Sequence, residues 1–219
     1  MDTPLPKPFS DYLPMMNPAL ARELSRRMEN QFIQENQRSA ADIVQFRNQL
    51  KAMDDAALFE FQHDAKLRPG QIIKMRKEKP DEKMIISSHS DSFLDAVAKI
   101  LEREFRKDET LRVSVGQIDS SPAHLRGRPD DLAQRLNDRS DDLGIILLGS
   151  LSAAWHGLNM TGASILVLAH PVWTQDKYDR LVGTIRRLGQ TRVTTIVNIA
   201  PADGSVEWAN IVREMGSIM

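Results

Sequence analysis

The sequence contains no cysteine, which excludes disulfide stapling, thiolate catalysis and cysteine-ligated zinc together. Its five histidines, His63, His89, His124, His156 and His170, are scattered and none is paired at metal-ligand spacing, so no metal site is expected. No stretch approaches the ~20 apolar residues of a membrane span. The N-terminus carries Asp2 and four early prolines and lacks the basic-then-apolar order of a signal peptide. Net charge is −1, which gives the chain as a whole no pull toward nucleic acid; any such contact has to come from a local basic face. No internal repeat, low-complexity tract or dense basic targeting cluster stands out. What remains is 219 residues with 41% hydrophobic and 27% charged, the balance of one globular domain with an appendage.

Two regions differ in pattern. Residues 1–80 read as an α-helical N-terminal arm. After a proline-punctuated start, Leu20, Leu24, Met28 and Phe32 recur every fourth residue and share one helical face. Ser39 opens a second helix carrying Ile43, Phe46 and Leu50. Leu58, Phe59 and Phe61 mark a third, broken at Pro69-Gly70. The basic run Lys74–Lys79 reads as a solvated linker.

Residues 81–219 alternate short apolar runs with helical stripes. The expected strands are Met84–Ser88, Leu111–Val115, Gly144–Leu148, Ile165–Ala169 and Thr194–Ile199. Between them run the stripes Phe93–Phe105, started by Ser90, Leu132–Leu136, and Tyr178–Leu188, with Thr174 as N-cap and Gly189 as stop. This alternation predicts an α/β fold, a mostly parallel sheet with helices on both faces. Functional loops then belong at the carboxyl ends of the strands.

Two motifs narrow the reading. One is Gly157-Leu158-Asn159-Met160-Thr161-Gly162-Ala163-Ser164, entering a strand; the other is Gly183-Thr184-Ile185-Arg186-Arg187-Leu188-Gly189-Gln190-Thr191. Together they resemble the GLNLT-A and GR-x-x-R-x-GQT motifs of Swi/Snf-type ATPases of helicase superfamily two. Lys83–Ser88, Ile118-Asp119-Ser120-Ser121 with Arg126, and His170-Pro171-Val172-Trp173 resemble further family segments in family order. The resemblance spans about 82–207. It implies a RecA-like helicase lobe two, acting in ATP-driven translocation on double-stranded DNA or chromatin, nuclear in a eukaryote and cytoplasmic otherwise.

It also implies roles. Arg187 matches the arginine finger, whose charge is aimed at the γ-phosphate as negative charge develops there. Gly157, Asn159, Gly183 and Gln190 match the nucleotide-facing segments. Ser150 and Ser152 fall in the loop that touches a DNA phosphate in the family. Trp173 matches a structural position. The residues also admit plainer roles: Arg186-Arg187 at a helix end suits the helix dipole, and Asn159 suits a turn.

The chain departs from the pattern at functional positions. Position 184 is threonine where the family has its first arginine, and position 180 is arginine where it has glutamine. Ala154-Trp155 replaces two glycines, and bulky Trp155 is expected to obstruct backbone approach to a phosphate. Leu151 replaces a usual threonine. No Walker A loop occurs, and Asp81-Glu82 follows no apolar strand, so ATP and Mg²⁺ are expected only when a first lobe supplies their cradle. Two functions stay open: an incomplete helicase lobe requiring a first lobe, or an inactive protein- or DNA-interaction module whose arm or exposed face meets a protein partner. An unrelated nucleotide-binding enzyme would need a glycine-rich strand-to-helix turn, which is missing.

Overall fold

The computed structural model describes residues 69–111, 113–119, 128–150, 152, 154–170, 172 and 174–199, with five single positions upstream (30, 45, 48, 49 and 52). Apart from those five positions, the expected helices between 19 and 61, the segment after 199, and Ser120, Ser121, Arg126, Leu151 and Trp173 lie outside the described residues.

The order is α1 (Pro69–Glu78), β1 (Lys83–Ser88), α2 (Asp91–Lys107), a 3-10 turn (Glu109–Leu111), β2 (Ser114–Ile118), α3 (Pro129–Asn137), β3 (Leu143–Gly149), β4 (Ala163–Leu168), α4 (Gln175–Ile185) and β5 (Thr195–Asn198). The five strands form one sheet in the order β2-β3-β1-β4-β5, and every pairing is parallel. The expected parallel α/β fold is therefore what the chain adopts.

Alternation along the strands decides what each face buries. Met84 and Ile86 of β1 join Ile145 and Leu147 of β3 in one core cluster, against Ile72 of α1 and Leu94, Val97, Leu101 and Phe105 of α2. Ile85, Ile146, Leu148 and Leu166 point the other way, toward Leu132 and Leu136 of α3 and Leu181, Val182 and Ile185 of α4. All seven residues of β3 and all six of β4 are buried, which explains why these strands read as continuous apolar runs. Each such aliphatic side chain contributes ~1.5–3 kcal/mol of burial.

Local chemistry sets the helix ends. Ser90 caps α2 by accepting from the Phe93 N–H at 3.3 Å. Thr174 holds the N-cap position of α4 but its side chain makes no capping bond. Several boundaries differ from the sequence reading. The patch expected before Pro69-Gly70 lies outside the described residues, and Pro69-Gly70 itself opens α1, a place where proline's missing N–H costs nothing. The basic run is consequently mostly helical rather than a linker, and Arg76 within it is buried, donating to the Glu82 carbonyl at 3.2 Å. The second strand begins at Ser114 rather than Leu111, because Leu111 belongs to the 3-10 turn. α4 stops at Ile185 with Arg186 as C-cap. Leu188 is therefore fully exposed rather than core, and Gly189, at φ +102°, serves a later turn.

Candidate functional site

The turn after β3 and the C-terminal end of α4 meet along one groove of about 490 Å³, lined by Trp155, His156, Gly157, Arg180, Gly183 and Arg187 among others. Gly157 sits at φ +84°, a left-handed conformation natural to glycine, and a side chain there would meet nothing within 4 Å. The same is true of Gly183. The outer wall of the groove is therefore bare backbone at both positions.

Arg187 ties these two walls together. Its Nε donates to the Gly183 carbonyl and its Nη1 to the Gly157 carbonyl, both at 2.9 Å. The guanidinium is exposed, positioned on two of its nitrogens, and Nη2 has no protein acceptor among the described residues. Such a fixed planar fork loses little entropy when it meets a phosphate oxygen.

Gln190 serves behind it. Its Nε2 donates to the carbonyls of Thr161 (3.1 Å), Ala163 (2.8 Å) and Ile185 (3.0 Å), and its Oε1 accepts from the Arg192 N–H at 3.0 Å. One amide thus binds the segment after α4 to the start of β4. Asn159 is exposed and accepts from the Thr161 N–H at 3.2 Å, the turn-forming role open to asparagine. Its own carbonyl accepts from Asn137 at 2.8 Å.

Arg187, Gly157 and Gly183 are therefore brought into one groove, while Asn159 and Gln190 stand behind it as braces. Ser150 and Ser152 follow β3 and are buried, each 8% exposed. The Ser150 N–H donates to the Ser88 carbonyl at 2.7 Å. The Ser152 hydroxyl donates to the Asp119 carbonyl at 3.0 Å and accepts from the Ala154 N–H at 3.1 Å. Both serines fasten the turn onto the carboxyl ends of β1 and β2.

The obstruction expected of Trp155 does not come from an outward indole. Its side chain turns into the core at 1% exposure, with His156 edge-on at 4.6 Å. Its Nε1 has no hydrogen-bond partner among the described residues. Thr184 is likewise turned inward, 2% exposed, its hydroxyl donating to the Leu181 carbonyl at 2.6 Å.

Several residues of the site escaped the motif reading. Asn137 of α3 reaches across with both amide atoms, accepting from the Gly162 N–H at 2.7 Å as well. Arg192 donates to the Gly162 carbonyl at 2.8 Å and pairs with Glu82 at 2.9 Å. Glu82, of the acidic pair set aside above as a Mg²⁺-binding motif, is occupied there and also accepts from the Ser164 hydroxyl. The position of Arg192 just after Gly189-Gln190-Thr191 was the one available signal. At the carboxyl ends of β1 and β4, Ser88 shares a hydrogen bond with His170 Nδ1 at 2.9 Å, and His89 lies against His170 at 4.2 Å between ring centroids. Burial holds His170 down to about 4. Burial, then the neighbouring His170 and Lys177, hold His89 down to about 3. Both are neutral at pH 7. Among the described residues no cluster of three or more potential metal ligands occurs, and no helix is long and apolar enough to cross a membrane.

No family model matches the chain. Among curated proteins it is similar to DNA repair protein RAD5 of Debaryomyces hansenii, 24% identical over 129 residues, 59% of this chain and 10% of that protein. It is also similar to DNA repair protein RAD5 of Kluyveromyces lactis, 28% identical over 135 residues, 61% of this chain and 12% of that protein. The chain thus spans about a tenth of the length of these relatives. Among solved structures, the C-terminal part of the Fun30 ATPase domain aligns at TM-score 0.46 and 16% identity, over 65% of this chain and 50% of that one.

Proposed function

We propose that the chain is a helicase C-terminal RecA-like lobe of the Swi/Snf type, working as the second lobe of an ATP-driven translocase on double-stranded DNA. A first lobe supplies the phosphate cradle and Mg²⁺ ligands, and Arg187 is the finger presented to the γ-phosphate. The observation that carries this reading is the anchoring of Arg187 to the carbonyls of Gly183 and Gly157, which fixes one guanidinium where the two motif segments meet. Gln190 keeps that junction from opening. Ser150 and Ser152 shape the loop offered to a DNA phosphate, chiefly through backbone groups since the Ser152 hydroxyl is engaged. The RAD5 relatives are named DNA repair proteins, which supports a role on DNA; nuclear placement and a chromatin setting belong to the proposal.

A second reading, an inactive interaction module, draws on different residues. Thr184 presents no charge to the groove, and the apolar side chains of Leu188 and Val193 are 100% and 90% exposed on the segment carrying Arg187. A partner protein would cover them.

The two readings separate when the chain is titrated with duplex DNA and labelled ATP, alone and with a Walker-A-bearing first lobe of a Swi/Snf-type translocase. The translocase reading predicts salt-sensitive DNA binding and turnover that appears only with the first lobe. Persistent absence of turnover in that mixture, with no DNA binding at low salt, overturns it in favour of the module.

A further inference from the structure

Besides Arg187 the groove is lined by Arg186, whose Nε donates to the Thr194 hydroxyl at 2.8 Å, and by Arg180, which stands where the resembled motif has glutamine. Residues 176, 179, 180, 183, 184 and 187 all line it, the i, i+3, i+4, i+7 face of α4 and its extension. In the middle of that face Gly183 is bare and Thr184 turns inward. Arg180 and Arg187 therefore flank the centre, while Arg186, at the C-cap of α4, is held toward Thr194. Arg180 lies four residues, about 6 Å of helix rise, before position 184.

Arg180 is not committed elsewhere. Its Nη2 pairs with Asp176 at 2.9 Å, with the two side chains 55% and 75% exposed. An exposed i,i+4 pair of this kind is worth only a few tenths of a kcal/mol, so a multiply charged anion can displace the carboxylate at little cost. The other groove carboxylate, Asp179, accepts from Gln175 at 2.7 Å. Arg187 is already fixed, and its partners are neutral carbonyls that leave its charge uncompensated.

We infer that Arg180 is a second polyphosphate-binding residue of this groove, acting with Arg187 across Gly183, and that Asp176 competes with the phosphate for it. This rests on the nucleotide-facing reading of the groove and adds a positive charge on the far side of Gly183 from Arg187. A helix carrying its guanidinium at 180 needs none at 184, so the two departures from the motif act as one exchange.

The test is calorimetric titration of the full chain with inorganic tripolyphosphate at low salt. Arg180→Gln is expected to weaken binding roughly tenfold, the scale of one hydrogen bond to a charged group. Arg180→Lys is expected to recover most of that loss. Asp176→Asn is expected to tighten binding a few-fold, which a merely structural Arg180 would not produce. Lys74→Gln, on the exposed outer side of α1, controls for overall charge and should leave binding unchanged. If Arg187→Ala weakens binding while Arg180→Gln and Asp176→Asn match the wild type, the inference about Arg180 fails and the groove reading stands. If the wild-type chain does not bind, or Arg187→Ala has no effect, both fail.

Discussion

At the scale of single residues, the site depends on a few side chains whose polar atoms are nearly all engaged. Gln190 holds three carbonyls and one N–H, so Gln190→Ala leaves several partly buried groups unpaired. The expected cost is about 2 kcal/mol, read by denaturant unfolding. Because the same amide fixes the segment behind Arg187, tripolyphosphate binding should weaken as well. Gly162 makes a sharper steric prediction. A Cβ there would lie 2.1 Å from the Leu136 carbonyl oxygen, so Gly162→Ala forces backbone to move and should cost about 3 kcal/mol, whereas Gly183→Ala, with open space around it, should be tolerated. The motifs made Arg187, Gln190, Gly157 and Gly183 visible in the sequence. Asn137 and Arg192 were not visible, because their partners are 25 and 30 residues away at Gly162 and no short-range pattern encodes that contact.

At the scale of elements, the sequence disclosed the kind of each strand and helix better than its limits. The continuous apolar runs of β3 and β4 reflect burial on both faces, and they were legible for that reason. Leu188 was misread because the spacing Leu181, Ile185, Leu188 continues a helical stripe, while the backbone leaves the helix at Arg186. Periodicity carries no information about where hydrogen bonding stops. The histidine pair between β1 and β4 was equally invisible, since His89 and His170 are distant in sequence. Their effect belongs to this scale. Both folded-state values, about 3 and about 4, lie below the ~6.5 of an unfolded histidine. The unfolded chain therefore binds more protons in between, and stability is complete above about pH 6.5 and falls as pH drops toward 4. Melting temperature should decline over that window, and His89→Asn should flatten the decline if it leaves the fold intact; an unchanged pH profile would show that the pair is not buried as neutral rings.

For the whole molecule, the parallel sheet brings the turn after β3 and the end of α4 to one groove, and neither segment forms that groove alone. The family likeness was legible because its motifs are contiguous in sequence. Whether the departures at 180, 184 and 154–155 silence the lobe was not legible, because that depends on where the side chains point. Trp155 and Thr184 turn inward, whereas Arg180 and Arg187 remain at the groove. On the proposed reading, these two guanidinium groups are what the groove offers to a polyphosphate. The most direct measurement is DNA-stimulated ATP hydrolysis by this chain paired with a Walker-A-bearing first lobe, comparing wild type with Arg187→Ala. The account predicts a fall of roughly 10³–10⁵ in turnover with the chain still folded at the assay temperature by circular dichroism; turnover unchanged by the substitution would contradict it.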